Sequence, residues 1–98
     1  MNQLELTGTL IAIEPVRYTP GGIAIVNLIV SHTSEQSEAG NKRQVQCEVQ
    51  VVVAGDNALL CKQAKLGERY RLKGFLAAKG KSNKALVLHA TEFNFIEY

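Results

Sequence analysis

Tryptophan is absent from this 98-residue chain, and aspartate and methionine occur once each, as Asp56 and Met1. The two cysteines, Cys47 and Cys61, are too far apart to form a C-x-x-C pair, which argues against a zinc site or a disulfide framework. They read as free, buried thiols. No apolar run approaches the roughly 18 residues that span a bilayer, so no membrane contact is expected. The start, Met1-Asn2-Gln3-Leu4-Glu5, lacks the basic residues and apolar stretch of a secretory signal, and a cytoplasmic protein is expected.

Catalytic patterns are equally scarce. Neither H-E-x-x-H nor G-x-S-x-G occurs, and Asp56 sits where a helix cap is expected. His32 and His89 fall inside predicted strands, away from any nucleophile–carboxylate set, and read as core or rim residues. Cys61, although close to Lys62 and Lys65, reads as packing of a short helix. Gly80-Lys81-Ser82 resembles the tail of a phosphate-binding P-loop, but Phe75 stands where that motif needs glycine. A strand rather than a helix is also expected to follow it. An enzyme is therefore the weakest reading, and no cofactor or metal is expected.

What is present is a single-domain complement of strands. At 98 residues the chain suits one domain spanning 1–98. Leu4 to Ile13 reads as a strand with Gly8 inside it, a place for a bulge or a bend toward a second layer. Thr19-Pro20-Gly21-Gly22 is turn chemistry, and the apolar, β-branched run Ile23 to His32 follows as a buried strand. Ser34 to Arg43 is polar and predicts a mobile loop. From Gln44 to Val53 the residues alternate without a break, with Val45, Cys47, Val49, Val51 and Val53 on the face expected to be buried. Asp56-Asn57 is expected to cap a short helix through Ala64, with Gly67 just beyond it. Arg69 to Ala78 and Ala85 to Ile96 complete the strands, with Tyr70, Phe75, Phe93 and Phe95 assigned to the core. Three strands, a short helix and two more strands predict an all-β fold, a five-stranded Greek-key barrel of the OB type with the helix between strands three and four. An SH3-like barrel is the all-β rival, but it lacks that helix.

Charge is segregated along this frame. Lys62 to Lys84 holds eight basic residues against Glu68 alone, a net +7, whereas the remainder carries −5. A solvated lysine-rich surface would explain this without a ligand; a polyanion explains it with one. On an OB barrel, polymers cross the second and third strands between the first and last hairpin loops. Arg17 lies in the first of those loops, Lys79, Lys81 and Lys84 in the last, and Lys42 and Arg43 lead into the third strand. Flexible ammonium groups there suit a sugar–phosphate backbone and predict salt-sensitive binding with little sequence preference. Tyr18 is the exposed stacking candidate, with packing into the turn as its alternative. Gln44, Gln46, Glu48 and Gln50 can form hydrogen bonds but cannot stack, so modest, electrostatic binding is expected.

Several segments together resemble one family. Leu6-Thr7-Gly8-Thr9, Pro20-Gly21-Gly22-Ile23, Glu38-Ala39-Gly40, Gln46-Cys47, Val53-Ala54-Gly55, Lys73-Gly74-Phe75 and Leu88-His89-Ala90 occur in the order and spacing of the primosomal replication protein N (PriB) family, which is related to single-stranded DNA-binding protein. That resemblance implies a homodimeric, non-catalytic protein that binds single-stranded DNA. It also implies stimulation of the restart helicase, primosomal protein A, and work with other primosome components to reload the replicative helicase during DNA replication restart. The family's DNA-contacting positions map to Arg17, Lys79, Lys81 and Lys84. Gln46, by contrast, occupies a position where family members carry tryptophan, Asn41 stands where an aromatic can occur, and Thr33 replaces a basic residue. These departures imply weaker DNA binding and a larger share for protein partners. Association would also hide strand edges and enlarge a small core, with the outer parts of strands one and three as the expected interface. Two other readings stay open: an adaptor whose basic loop docks an acidic partner surface, and an RNA-binding barrel.

Overall fold

The computed structural model describes residues 1–96. Its strands are β1 (Leu4–Ile13), β2 (Arg17–Tyr18), β3 (Ala24–Glu38), β4 (Asn41–Ala54), β5 (Arg69–Ala78) and β6 (Leu86–Ile96). A short helix, α1 (Asp56–Leu60), continues into a 3-10 turn over Cys61–Gln63 between β4 and β5. The five long strands are those the periodicity predicts, and the two-residue β2 is added to them. They form one sheet in the order β1-β5-β6-β4-β3-β2, which closes because β1 also pairs with β3. All pairings are antiparallel except that of β4 with β6.

Closure depends on β1 changing partners midway. Leu4 to Thr9 pair with β5, whereas Thr9 to Ile13 pair with β3. Gly8 marks the crossing, and a Cβ built there would lie 3.0 Å from Val30 Cβ and 3.1 Å from the Ser31 carbonyl oxygen. Glycine thus permits the approach of β3 to β1. The bulge expected near Gly8 lies instead at Ile11, between the Leu10 and Ala12 pairings.

A second bulge accommodates the fold at Gly74. Lys73 faces Glu92, but Gly74 faces Ala90, which leaves Thr91 as the extra residue of β6. Thr91 Oγ1 donates to the Lys73 carbonyl at 3.1 Å, and its own carbonyl accepts from Asn57 Nδ2 at 2.8 Å. Asn57 therefore ties α1 to the barrel wall rather than capping the helix. The N-cap is Gly55, at φ 78°, and no side chain caps it. Inside the ring, Leu10, Val26, Val30, Val51, Val53, Leu72 and Leu88 form the core, and α1 adds Ala58 while the 3-10 turn adds Cys61. Tyr70 stacks on Phe93 at 4.4 Å, and its hydroxyl accepts the Lys65 backbone N–H at 3.1 Å.

The structure corrects three further expectations. Ser34 to Arg43 is not a loop. The β3–β4 ladder runs on to Glu38–Asn41 and turns through Ala39 and Gly40, both at positive φ, as a two-residue hairpin requires. Its cross-strand pairs are polar and charged, with Arg43 on Glu38 at 2.9 Å and Lys42 on Glu35 at 3.7 Å. Cys47 is exposed rather than buried, because this two-stranded arm projects past the core and only Val51 and Val53 of β4 reach the interior. Phe75 and Phe95 are also exposed; Phe75 stands on the outer side of the barrel wall, whereas Phe95 pairs with the buried Tyr70 on the inner-facing side, at the end of β6 where the core no longer covers it.

This packing sets the cost of substitution at two glycines and the chemistry of the two thiols. A Cβ at residue 74 would be driven into the backbone of His89, which cannot swing aside as a side chain can. Gly74→Ala is expected to destabilise the fold by at least about 2 kcal/mol in urea unfolding. Gly80→Ala, with open space around it, should change stability by less than about 0.5 kcal/mol. Burial pushes the Cys61 thiol from 9.0 up to about 11. A thiol reagent should therefore label Cys47 in the native protein and Cys61 only after unfolding. Between pH 9 and pH 11 the unfolded thiol ionises while the folded one stays protonated, so stability falls as pH rises through that window. Cys61→Val should remove this slope.

Candidate nucleic-acid interface

The outer side of the barrel wall carries the candidate site. Residues paired across neighbouring strands point to the same side of a sheet, so register alone places the side chains. One transverse row runs Asn27 (β3), Val52 (β4), His89 (β6) and Phe75 (β5), each paired with the next. Beside it, Ile29 of β3 pairs with Gln50 of β4, and Arg17 of β2 pairs with Ile25 of β3. These residues border an open groove of about 480 Å³. Its floor is apolar, with Ala12, Ile25, Ile29, Val52 and Val87. The polar groups around that floor are Arg17, Lys79, Asn27, Gln50, His89 and Glu14. Asn27 Nδ2 donates to Glu14 Oε2 at 3.4 Å, which takes up part of the one acid in the groove.

Among the sequence-predicted residues, Arg17 and Lys79 meet at this groove. Lys81 and Lys84 are exposed on the same β5–β6 loop as Lys79. Lys79 N–H donates to the Ala85 carbonyl and Gly80 N–H to that of Asn83, which hold the loop as a closed hairpin. Among the described residues, none of these four cations forms an ion pair. Tyr18, next to Arg17, is 59% exposed and so is not packed into the turn. Lys42, Arg43 and Gln46 lie elsewhere, on the β3–β4 arm. Lys42 and Arg43 are engaged with Glu35 and Glu38, and Gln46 pairs with Thr33. Along β4, Gln46 stands on the same side as Gln50 but roughly 13 Å farther out.

Structure also divides the basic segment. Arg71 lies 3.8 Å from Glu5, and Lys73 stands opposite Glu92 in the ladder. On the β5–β6 loop, Lys79, Lys81 and Lys84 lie close together in sequence and form no ion pair among the described residues. Asn27, Gln50, His89 and Phe75 were missed as site residues. Asn27 was legible as a polar interruption of an apolar strand. Phe75 was legible by parity, because it shares its side of β5 with Arg71 and Lys73 rather than with Tyr70 and Leu72. Among the described residues no group of three or more His, Cys, Asp or Glu is placed to hold a metal ion. No helix among them is long and apolar enough to cross a membrane.

The closed barrel is the fold of the single-strand binding proteins. Residues 2–92 match the profile of the family described as "Another single-strand binding protein family". The wild-type single-stranded DNA binding protein of Thermus aquaticus superposes with a TM-score of 0.80 at 28% identity, over 99% of this chain and 50% of that one. Closer likeness is found within one branch. The PriB protein of Ralstonia solanacearum has a TM-score of 0.89 at 34% identity, over 99% of both chains. Replication restart protein PriB of Bordetella pertussis is 37% identical over 91% of this chain and 83% of its own length. The chain belongs to the replication restart protein PriB family, related to the single-strand binding proteins.

Proposed function

We propose that this chain is a non-catalytic single-stranded DNA-binding component of the replication restart primosome. In this reading Arg17, Lys79, Lys81 and Lys84 hold the sugar–phosphate backbone along the groove, and the complex stimulates the restart helicase, primosomal protein A, and assists reloading of the replicative helicase. The observation that carries the proposal is the convergence of Arg17 and Lys79 on one open groove, next to two more lysines that form no ion pair among the described residues, in a member of this family. Each phosphate met by such a cation releases condensed counterions, so affinity comes from charge and varies little with sequence. Tyr18 offers one stacking surface, while Lys42, Arg43 and Gln46 take part only where a longer strand reaches the arm. The protein works in the cytoplasm as a homodimer. Pairing of β1 with β3 begins only at Thr9, so the side of Leu4–Gly8 turned away from β5 has no ladder partner among the described residues, apart from the Thr7 carbonyl that accepts from His32 Nδ1, and offers an edge to a second copy.

Binding of labelled oligo-dT, followed by fluorescence anisotropy at low and moderate salt with duplex DNA alongside, tests this reading. Salt-sensitive binding that prefers the single strand is expected. Removing two phosphate contacts with Lys81→Ala and Lys84→Ala should make the log–log salt slope shallower by about 1.4. No binding even at low salt would overturn the proposal. Intact DNA binding with loss of helicase stimulation in the same double variant would identify the loop as a protein-docking surface instead.

A further inference from the structure

Phe75 poses a physical problem that the backbone-binding reading leaves unanswered. It is a large apolar side chain, 41% exposed, on a strand whose outer side is otherwise basic at Arg71 and Lys73. Its ring lies parallel to that of His89, at an interplanar angle of 1° with centroids 5.1 Å apart. His89 in turn borders the groove that Arg17 and Lys79 share. The two rings end the transverse row that begins at Asn27 and Val52, so the stacked pair stands beside the groove floor, with a face of Phe75 not covered by His89. Both rings stand on paired ladder positions, which fixes their backbone spacing before any ligand arrives. Cross-strand packing alone would account for two neighbouring rings. It would not account for leaving Phe75 exposed, over a half-buried His89, at the margin of a groove bordered by Arg17 and Lys79.

We propose that the stacked Phe75–His89 pair is a nucleobase platform, on which an unpaired base of a single strand lies while Arg17 and Lys79 hold phosphates to either side. This rests on the single-stranded DNA-binding reading and adds to it a second, non-ionic source of affinity. Every base has a π-face, so such a platform needs no particular sequence. It also supplies stacking that Gln46, an amide out on the arm, cannot. Duplex DNA keeps its bases inside the helix and gains nothing from the platform, so the rings contribute to preference for single strands.

The test uses the absence of tryptophan, because Phe75→Trp places a single indole reporter on the platform. Oligo-dT is expected to quench its emission, whereas an abasic phosphodiester of the same length leaves it unchanged. Phe75→Leu, which keeps an apolar side chain but loses the ring, should weaken oligo-dT binding about tenfold without altering the salt slope. Its affinity for the abasic strand should match that of the native protein, and Phe75→Tyr should restore oligo-dT affinity to within about twofold. Native-like oligo-dT affinity in Phe75→Leu, with indole emission unmoved at saturation, would overturn the platform while leaving phosphate binding standing. Failure of the native protein itself to bind oligo-dT would overturn both readings.

Discussion

A sheet of this length closes on itself only if one strand serves two neighbours along different stretches, and β1 does so at Gly8 and Thr9. The consequences extend to the surface. Bringing Thr9 to Ile13 beside β3 places Ala12 next to Ile29 and sets the apolar floor of the groove. The same closure brings β2, far away in sequence, to the side of the barrel reached by the β5–β6 loop. Arg17 and Lys79 can then border one groove. A side chain at residue 8 would hold β3 off β1, so the position of the cations rests on a residue that has none.

The barrel treats its charges in two ways. On the arm, Lys42 and Arg43 are set across from Glu35 and Glu38, and along β5 Arg71 and Lys73 have Glu5 and Glu92 beside them. Such exposed pairs add little stability, about 0–1 kcal/mol each, but they neutralise the local field. Among the described residues, the lysines of the β5–β6 loop have no such compensation. Its lysines repel one another, a cost kept small by solvent screening and removed when an anion binds. Strands whose charges have opposite charges beside them thus alternate with a loop whose charges do not. Net charge, at only +2, conceals this contrast.

Much of this was readable in the sequence. The limits of β1, the turn at Pro20-Gly21, the helix between the long strands and the loop lysines all follow from local chemistry. What escaped did so for physical reasons. Alternation reports burial, and the arm has almost no buried side, so its polar residues looked like a loop although they pair from Thr33–Gln46 to Glu38–Asn41. Cys47 alternates correctly with the valines, yet nothing covers that part of the strand. The role of Asn57 depends on a carbonyl released by the bulge at Thr91, which no local pattern announces. Phe75 was assigned by its apolar character although its parity placed it outside. The groove itself was beyond a local reading, because it exists only once the ring has closed.

The arm has one more consequence. Six residue pairs, from Thr33–Gln46 to the turn, extend roughly 20 Å beyond the core and, with Val45 as their one partly buried apolar side chain, stand mainly on hydrogen bonds and ion pairs. Separating those strands uncovers little apolar surface, so the arm can open with the barrel intact. Its backbone amides would exchange with solvent by local fraying, and those of β1, β5 and β6 only through global unfolding. The molecule thus joins two thermodynamic regimes in one ladder, a cooperative barrel and a ribbon whose order is set by its own pairing. The boundary between them falls near Val49, where the first partly buried valine below the arm meets the core.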